Sequence, residues 1–165
     1  MSRHTRRDFI KRAAAAGLAA SFTIAGTKAS ARVLGANDRL RVGVCGLNGR
    51  GKNHADEYLR MDNVELAYVI DPDSNVRDRA LESAAKKANG YTIKGVADVR
   101  EALADKNLDA ISVATPNHWH SLMVIWAAQA GKHCYVEKPA SHDIYEGRVA
   151  LEAWKKYGVV IQHGT

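Results

Sequence analysis

A chain of 165 residues has room for one domain of ordinary size and not for two substantial ones. Apolar residues at 46% and charged residues at 25% describe a globular chain, and 2 Cys are too few for a disulfide scaffold or a four-thiolate zinc site. The formal charge of +6 is not a nucleic-acid footprint: six Lys/Arg and one acid fall in residues 1–31, leaving 18 basic and 17 acidic side chains in the rest.

Residues 1–31 read as a leader rather than as part of the fold. A charged stretch, Thr5-Arg6-Arg7-Asp8-Phe9-Ile10-Lys11, precedes an Ala- and Gly-rich segment of mild hydrophobicity. Ala29-Ser30-Ala31 then offers a small-x-small cleavage site. The apolar segment is too short and weak for a stable membrane span, which needs roughly 20 apolar residues. The paired arginines with Phe9 and Lys11 behind them resemble a twin-arginine export signal, which implies a periplasmic or other extracytoplasmic destination. Residues 32–38 form a short polar linker, and residues 39–165 are expected to be the folded domain.

Beyond the linker, strand-like and helix-like patterns alternate. Leu40–Cys45 reads as a strand, 52–61 as a helix and Val64–Ile70 as a second strand. A helix is predicted over 74–89, with Val76, Ala80, Ala84 and Ala88 along one stripe and Gly90 closing it. A weak strand at 93–96, a short helix at 99–104, a strand at 110–114 and a helix at 119–130 stopped by Gly131 follow. His133–Val136 is a fifth strand. Ser141 reads as the cap of a helix reaching Tyr157 that buries Ala150, Leu151, Trp154 and Tyr157, and 159–162 is a sixth strand. Regular alternation with short connections predicts α/β architecture, a doubly wound parallel sheet with crossover helices on both faces. Cys45 and Cys134, each in an apolar strand with another strand expected between them, read as buried thiols rather than a bridge.

The first strand runs into Gly43-Val44-Cys45-Gly46-Leu47-Asn48-Gly49-Arg50-Gly51. In a dinucleotide-binding turn the first Gly permits the bend, the second admits the pyrophosphate, and the third lets helix pack on strand. Gly46 and Gly51 take the first and third places, while Asn48 stands at the second with Gly49 beside it. Asn tolerates positive φ better than most residues, so the turn can still form. The second strand ends at Asp71, 20 residues after Gly51, where a carboxylate would accept hydrogen bonds from the adenosine ribose and repel a 2′-phosphate. That favours NAD over NADP. Asp71 also suits a turn or cap, and S-adenosylmethionine enzymes share this kind of turn and acid.

Two further segments lie at strand ends beside the switch point: Thr115-Pro116-Asn117-His118-Trp119-His120 and Glu137-Lys138-Pro139. As residues alone, the two histidines could be a metal pair lacking a third ligand, and Glu137-Lys138 an ordinary surface pair. With the Gly46–Gly51 turn and Asp71, however, they resemble the glucose–fructose oxidoreductase/inositol dehydrogenase/MocA family of nicotinamide-dependent oxidoreductases, over residues 40–165. The resemblance implies a Rossmann domain in which Gly46, Asn48, Gly49, Arg50 and Gly51 cradle the pyrophosphate and Asp71 holds the adenosine ribose. Thr115, Pro116 and Asn117 would line the dinucleotide, with His118 and His120 toward the nicotinamide and Glu137 at its ribose. Lys138 would be the catalytic residue, its proton affinity lowered beside a cationic ring, steadying the substrate hydroxyl or relaying its proton. His54, His133 and His142 carry no motif and are given no role.

The same resemblance implies a sugar, polyol or related substrate; for the two histidines, with no third ligand evident and Trp119 between them, packing is the better reading than a metal. Family members continue for roughly 200 residues more, the size of a second α/β domain. This chain is therefore expected to be the cofactor half alone, binding NAD without turnover. A non-catalytic dinucleotide-binding module and an NAD-using glycosidase of the same superfamily are the alternatives.

Overall fold

The computed structural model describes residues 39–165 apart from Asn89. The leader, its cleavage site and the linker lie outside the described residues. The elements are β1 (Leu40–Cys45), α1 (Arg50–Tyr58), β2 (Val64–Ile70), α2 (Ser74–Ala85), β3 (Lys94–Val96), α3 (Val99–Leu103), β4 (Ala110–Val113), α4 (His120–Gln129), β5 (His133–Val136), α5 (Ile144–Tyr157) and β6 (Ile161–His163). A single 3₁₀ turn, Asn117–Trp119, leads into α4.

All six strands are parallel, in the order β3-β2-β1-β4-β5-β6. This is the doubly wound, Rossmann-type sheet that the alternating pattern predicts. The order reverses between β1 and β4, so the loops leaving those strands diverge and open a crevice at their carboxyl ends. Backbone pairing runs past both strand ends, with Ala114 donating to the Cys45 carbonyl at 2.9 Å and Gly46 to that of Ile70 at 2.9 Å. The floor of the crevice is thereby fixed.

Both faces are covered. Val44, Leu66 and Val69 pack under α1 and α2, while Cys45, Ile70, Ile111 and Val113 point the other way under α3 and α4. Ala128, Ala153 and Val159 join α5 to α4 beside the β6 edge. Strands buried on both faces read as nearly continuous apolar runs, as here. Both thiols are buried and free, and β4 lies between their strands. Burial raises the Cys45 thiol well above its ordinary value and pushes that of Cys134 up to about 12, so neither is a nucleophile.

Several boundaries differ from the sequence expectation. Helix α2 stops at Ala85, where Lys87 reaches across to Asp56 of α1 at 2.8 Å, and Gly90 supplies its positive φ only afterwards. Helix α1 runs from Arg50 to Tyr58, starting at the glycine turn itself. Asp143, not Ser141, caps α5: its carboxylate accepts from the Glu146 N–H at 2.8 Å, and the helix begins after it. The inward stripe of α5 is Ala150, Ala153 and Tyr157, which leaves Leu151 and Trp154 exposed rather than buried. Pairing of β6 begins at Ile161 because Val159 is drawn down beneath α4 and α5. Among the described residues, no helix is long and apolar enough to cross a membrane.

Candidate functional site

The loop after β1 is shaped by two glycines. Gly46 has φ +81°, and a Cβ there would stand 2.8 Å from both the Ala114 carbonyl oxygen and the Thr115 nitrogen. A Cβ on Gly51 would lie 1.9 Å from the Gly46 carbonyl oxygen, so the first turn of α1 presses directly on the loop. These are the first and third glycine tasks of a dinucleotide turn. Asn48 and Gly49 are exposed between them, so the loop closes with Asn at the second place.

Helix α1, with Gly49 as its N-cap, has no side-chain cap and no acid in its first turn. Its leading N–H groups therefore face the crevice without a carboxylate of the chain's own, which suits a phosphate. The cradle fits a pyrophosphate in shape and in polarity.

Asp71 is 8% exposed. One carboxylate oxygen accepts from the Leu47 N–H at 2.8 Å and the other from the Asp73 N–H at 3.0 Å. The residue thus anchors the glycine loop to the end of β2. Each oxygen keeps a further lone pair, and the carboxylate lines a cleft of about 660 Å³ together with Gly46, Asn48 and Gly49. The far wall of that cleft is Trp119, Met123 and Trp126, with the Arg100 guanidinium 5.3 Å from the Trp126 ring. Thr115 and Pro116 line the same cleft and carry it across the switch point.

On the β4–β5 side a second hollow, about 450 Å³, is bounded by Arg50, Thr115, Asn117, His120, Glu137 and Lys138. It shares Thr115 and Ala114 with the first, so the two form one path over the sheet. Lys138 is exposed on its wall, and the Lys138–Pro139 bond is cis. His118 is exposed and leans on Trp119 with ring centroids 6.0 Å apart. His120 is only 1% exposed. Its two ring nitrogens face the carbonyls of Pro139 at 2.6 Å and Thr115 at 2.8 Å, so it ties the loop after β4 to the loop after β5. The two histidines do not converge, and among the described residues no three His, Cys, Asp or Glu side chains are placed to share a metal.

Several residues of the site escape the sequence reading, among them Ser112, Met123, Trp126 and, most consequentially, His54. His54, on α1, bridges Ser112 Oγ at 2.8 Å and Glu137 Oε1 at 2.9 Å. Arg50 Nε donates to the same Glu137 oxygen at 3.2 Å. Burial opposes charge on Glu137, but hydrogen bonds from Arg50, His54 and the Lys138 N–H outweigh it and hold the carboxyl below its ordinary value. The signal was available in principle. His54 falls on the inward stripe of α1 with Gly51, Ala55 and Tyr58, and Ser112 is a polar residue in the middle of an apolar strand.

Fold and crevice together define a dinucleotide-binding domain of the doubly wound class, with an acid at the β2 end and a lysine at the β5 end. Residues 40–165 match the family described as "Oxidoreductase family, NAD-binding Rossmann fold", and the chain belongs to that glucose–fructose oxidoreductase/inositol dehydrogenase/MocA family. It is 33% identical over 111 residues to an alpha-N-acetylgalactosaminidase of Shewanella oneidensis, covering 65% of this chain and 24% of that protein. Among solved structures, it resembles GenD2 from gentamicin A biosynthesis in complex with NAD at TM-score 0.70 and 27% identity, covering 84% of this chain and 37% of that one. A probable dehydrogenase from Thermotoga maritima matches at TM-score 0.70 and 30% identity, over 76% of this chain and 36% of the other. The chain therefore spans about a quarter of the length of that curated relative and little more than a third of those solved chains.

Proposed function

We propose that this domain holds NAD for an exported oxidoreductase that moves hydride between the nicotinamide and a sugar, polyol or derivative. The carrying observation is a single crevice with the Gly46–Gly51 cradle and Asp71 at one end and Glu137-Lys138 at the other. Bound NAD would supply the hydride acceptor. The chain's own residues would do the rest. The α1 N–H groups hold the pyrophosphate, and Asp71 accepts from the adenosine ribose hydroxyls. Its negative charge disfavours a 2′-phosphate, hence NAD over NADP. Lys138 holds the substrate hydroxyl and takes its proton as the carbon gives up hydride.

A second reading, an NAD-using glycosidase, is favoured by the name of the Shewanella relative. Lys138 leans toward the dehydrogenase, since an amine in its neutral form can take the proton that an alcohol must lose. Export rests on the Arg6-Arg7 leader and Ala29-Ser30-Ala31. Replacing both arginines by Lys should hold the precursor inside the cell, and unchanged export would remove that part of the proposal. The test of the main reading is calorimetric titration of the chain with NAD and NADP. Saturable NAD binding with weaker NADP binding is expected; no binding of either would end it.

A further inference from the structure

Glu137 is held by more machinery than an exposed strand end requires. Ser112 is fully buried in β4 between Ile111 and Val113, a position where an unpaired hydroxyl costs stability. Its partner is His54 Nδ1, at 2.8 Å, and the other ring nitrogen stands 2.9 Å from Glu137 Oε1. A carboxylate can only accept, so Nε2 carries a proton toward Glu137, while Nδ1 shares a hydrogen bond with the Ser112 hydroxyl, which can donate or accept. Glu137 thus fixes the N–H that points at it, and Ser112 engages the other ring nitrogen and holds the ring in place. The Tyr135 ring, edge-on at 5.4 Å between centroids, fixes the imidazole plane.

The consequence is an asymmetric carboxylate. Oε1 takes both Arg50 Nε and His54 Nε2, whereas Oε2 is met by the Lys138 N–H at 3.3 Å, a long contact. Glu137 and Lys138 share the hollow on the β4–β5 side, which by the pseudo-symmetry of the doubly wound sheet takes the nicotinamide half of a dinucleotide. Resting on the NAD reading above, we propose that His54 is a positioning residue: backed by Ser112, it pins one oxygen of Glu137 so that the other is presented to the hydroxyls of the nicotinamide-side ribose.

The test separates the two halves of the ligand. ADP fills the adenosine and pyrophosphate subsites and has no second ribose, whereas NAD has both. In the 165-residue chain, His54→Ala should weaken NAD by about tenfold, the scale of one charge-assisted hydrogen bond, and leave ADP within about twofold. Retained ADP binding also reports an intact fold. Glu137→Gln should reproduce the selective loss, and the double variant should lose no more than the worse single one, because both changes break one interaction. His54→Gln, whose amide can still donate to Glu137, should recover most of the NAD affinity. Equal losses for NAD and ADP, additive losses in the double variant, or no loss in His54→Ala would overturn the assignment while leaving NAD binding intact. A wild-type chain that does not bind NAD would overturn the functional reading, and this inference with it.

Discussion

The two halves of the crevice are held by different means. On the β1–β3 side the contacts close on loop and helix-end backbone: Gly51 against the Gly46 carbonyl, Asp71 on the N–H groups of Leu47 and Asp73, and aspartate caps on α2 and α3. On the β4–β6 side they run between side chains, or from side chain to distant backbone. Ser112, His54, Glu137 and Arg50 form one chain, and His120 spans two loops. Helix α1 belongs to both, its first turn closing on the glycine loop and its His54 reaching Ser112 and Glu137. A half built on turn grammar tolerates no added atom at the turn. A half built on side-chain ties instead places charge where chemistry needs it, so its substitutions should change function more than stability.

The largest expected effect tests that last statement. In any longer form that turns substrate over, Lys138→Ala should lower kcat by roughly 10²–10⁴, the usual contribution of a positioned acid–base group, with little change in NAD affinity. Steady-state rates and NAD titration on the same variant decide it. A large loss of NAD affinity with unchanged kcat would make Lys138 a binding residue only. The 165-residue chain itself is expected to bind NAD and yield no NADH with sugars or polyols, since Lys138 stands exposed on the wall of the hollow and catalysis needs the reacting carbon held close. Steady NADH production that vanishes in Lys138→Ala would overturn this.

On the other side, Gly51→Ala adds a Cβ 1.9 Å from a backbone oxygen that has nowhere to go. The cost should reach or pass the upper end of the roughly 1–3 kcal/mol of ordinary overpacking, and NAD binding should be lost with it. Urea unfolding and calorimetry report the two parts. Normal NAD affinity in this variant would mean that the helix does not need its close approach to the loop.

Asp71 belongs to the same half but has two tasks, which its variant should separate. Asp71→Ala should weaken NAD by about 1–3 kcal/mol through the lost ribose contacts and change NADP little, while the loop loses an anchor and the melting temperature falls. Equal losses for both dinucleotides would reduce Asp71 to the anchor of Leu47 and Asp73.

Much of this was legible in the sequence, and the reason is visible in what was not. The alternation of elements, the parallel direction of the sheet and the tight turn at Gly46–Gly51 follow from spacing along the chain, because turns and crossovers are local rules. The cap of α5 moved from Ser141 to Asp143 because both residues suit the position and Glu146 favours the nearer start. Helical rotation carries Leu151 off the Ala150, Ala153 and Tyr157 stripe, and Trp154, at the margin of that stripe, stays exposed. The inward stripe of α1 marks His54 as turned toward the sheet, but its partners lie 58 and 83 positions away, and its meaning comes from Ser112 and Glu137. The buried, doubly engaged His120 is the same case in reverse: the motif marks the residue, and only the fold shows that it faces carbonyls.

The smallest effect isolates a local cap from everything across the crevice. Asp98 caps α3, accepting from the Arg100 N–H at 2.9 Å, with Glu101 returning the contact to the Asp98 N–H at 3.3 Å. The Arg100 side chain, then its backbone N–H, hold the Asp98 carboxyl down to about 2. Its side chain is 38% exposed, so the ion pair is screened and adds little; the cap itself should carry about 1 kcal/mol. Because the folded-state value is depressed, this stability is present above the ordinary aspartate value of about 3.9 and is lost as the pH falls toward 2. Asp98→Ala should therefore be about 1 kcal/mol less stable at neutral pH. The gap should narrow through the acid range as the wild-type carboxylate protonates. Thermal melts of both proteins at neutral pH and at two acid points measure it, and a gap that does not change with pH would show that the charge plays no part in the cap. The NAD-to-ADP affinity ratio, which reads the nicotinamide side, should stay where it was. A shift in that ratio would mean that the two halves communicate through α3, and the division between a turn-built half and a side-chain-built half would have to be given up.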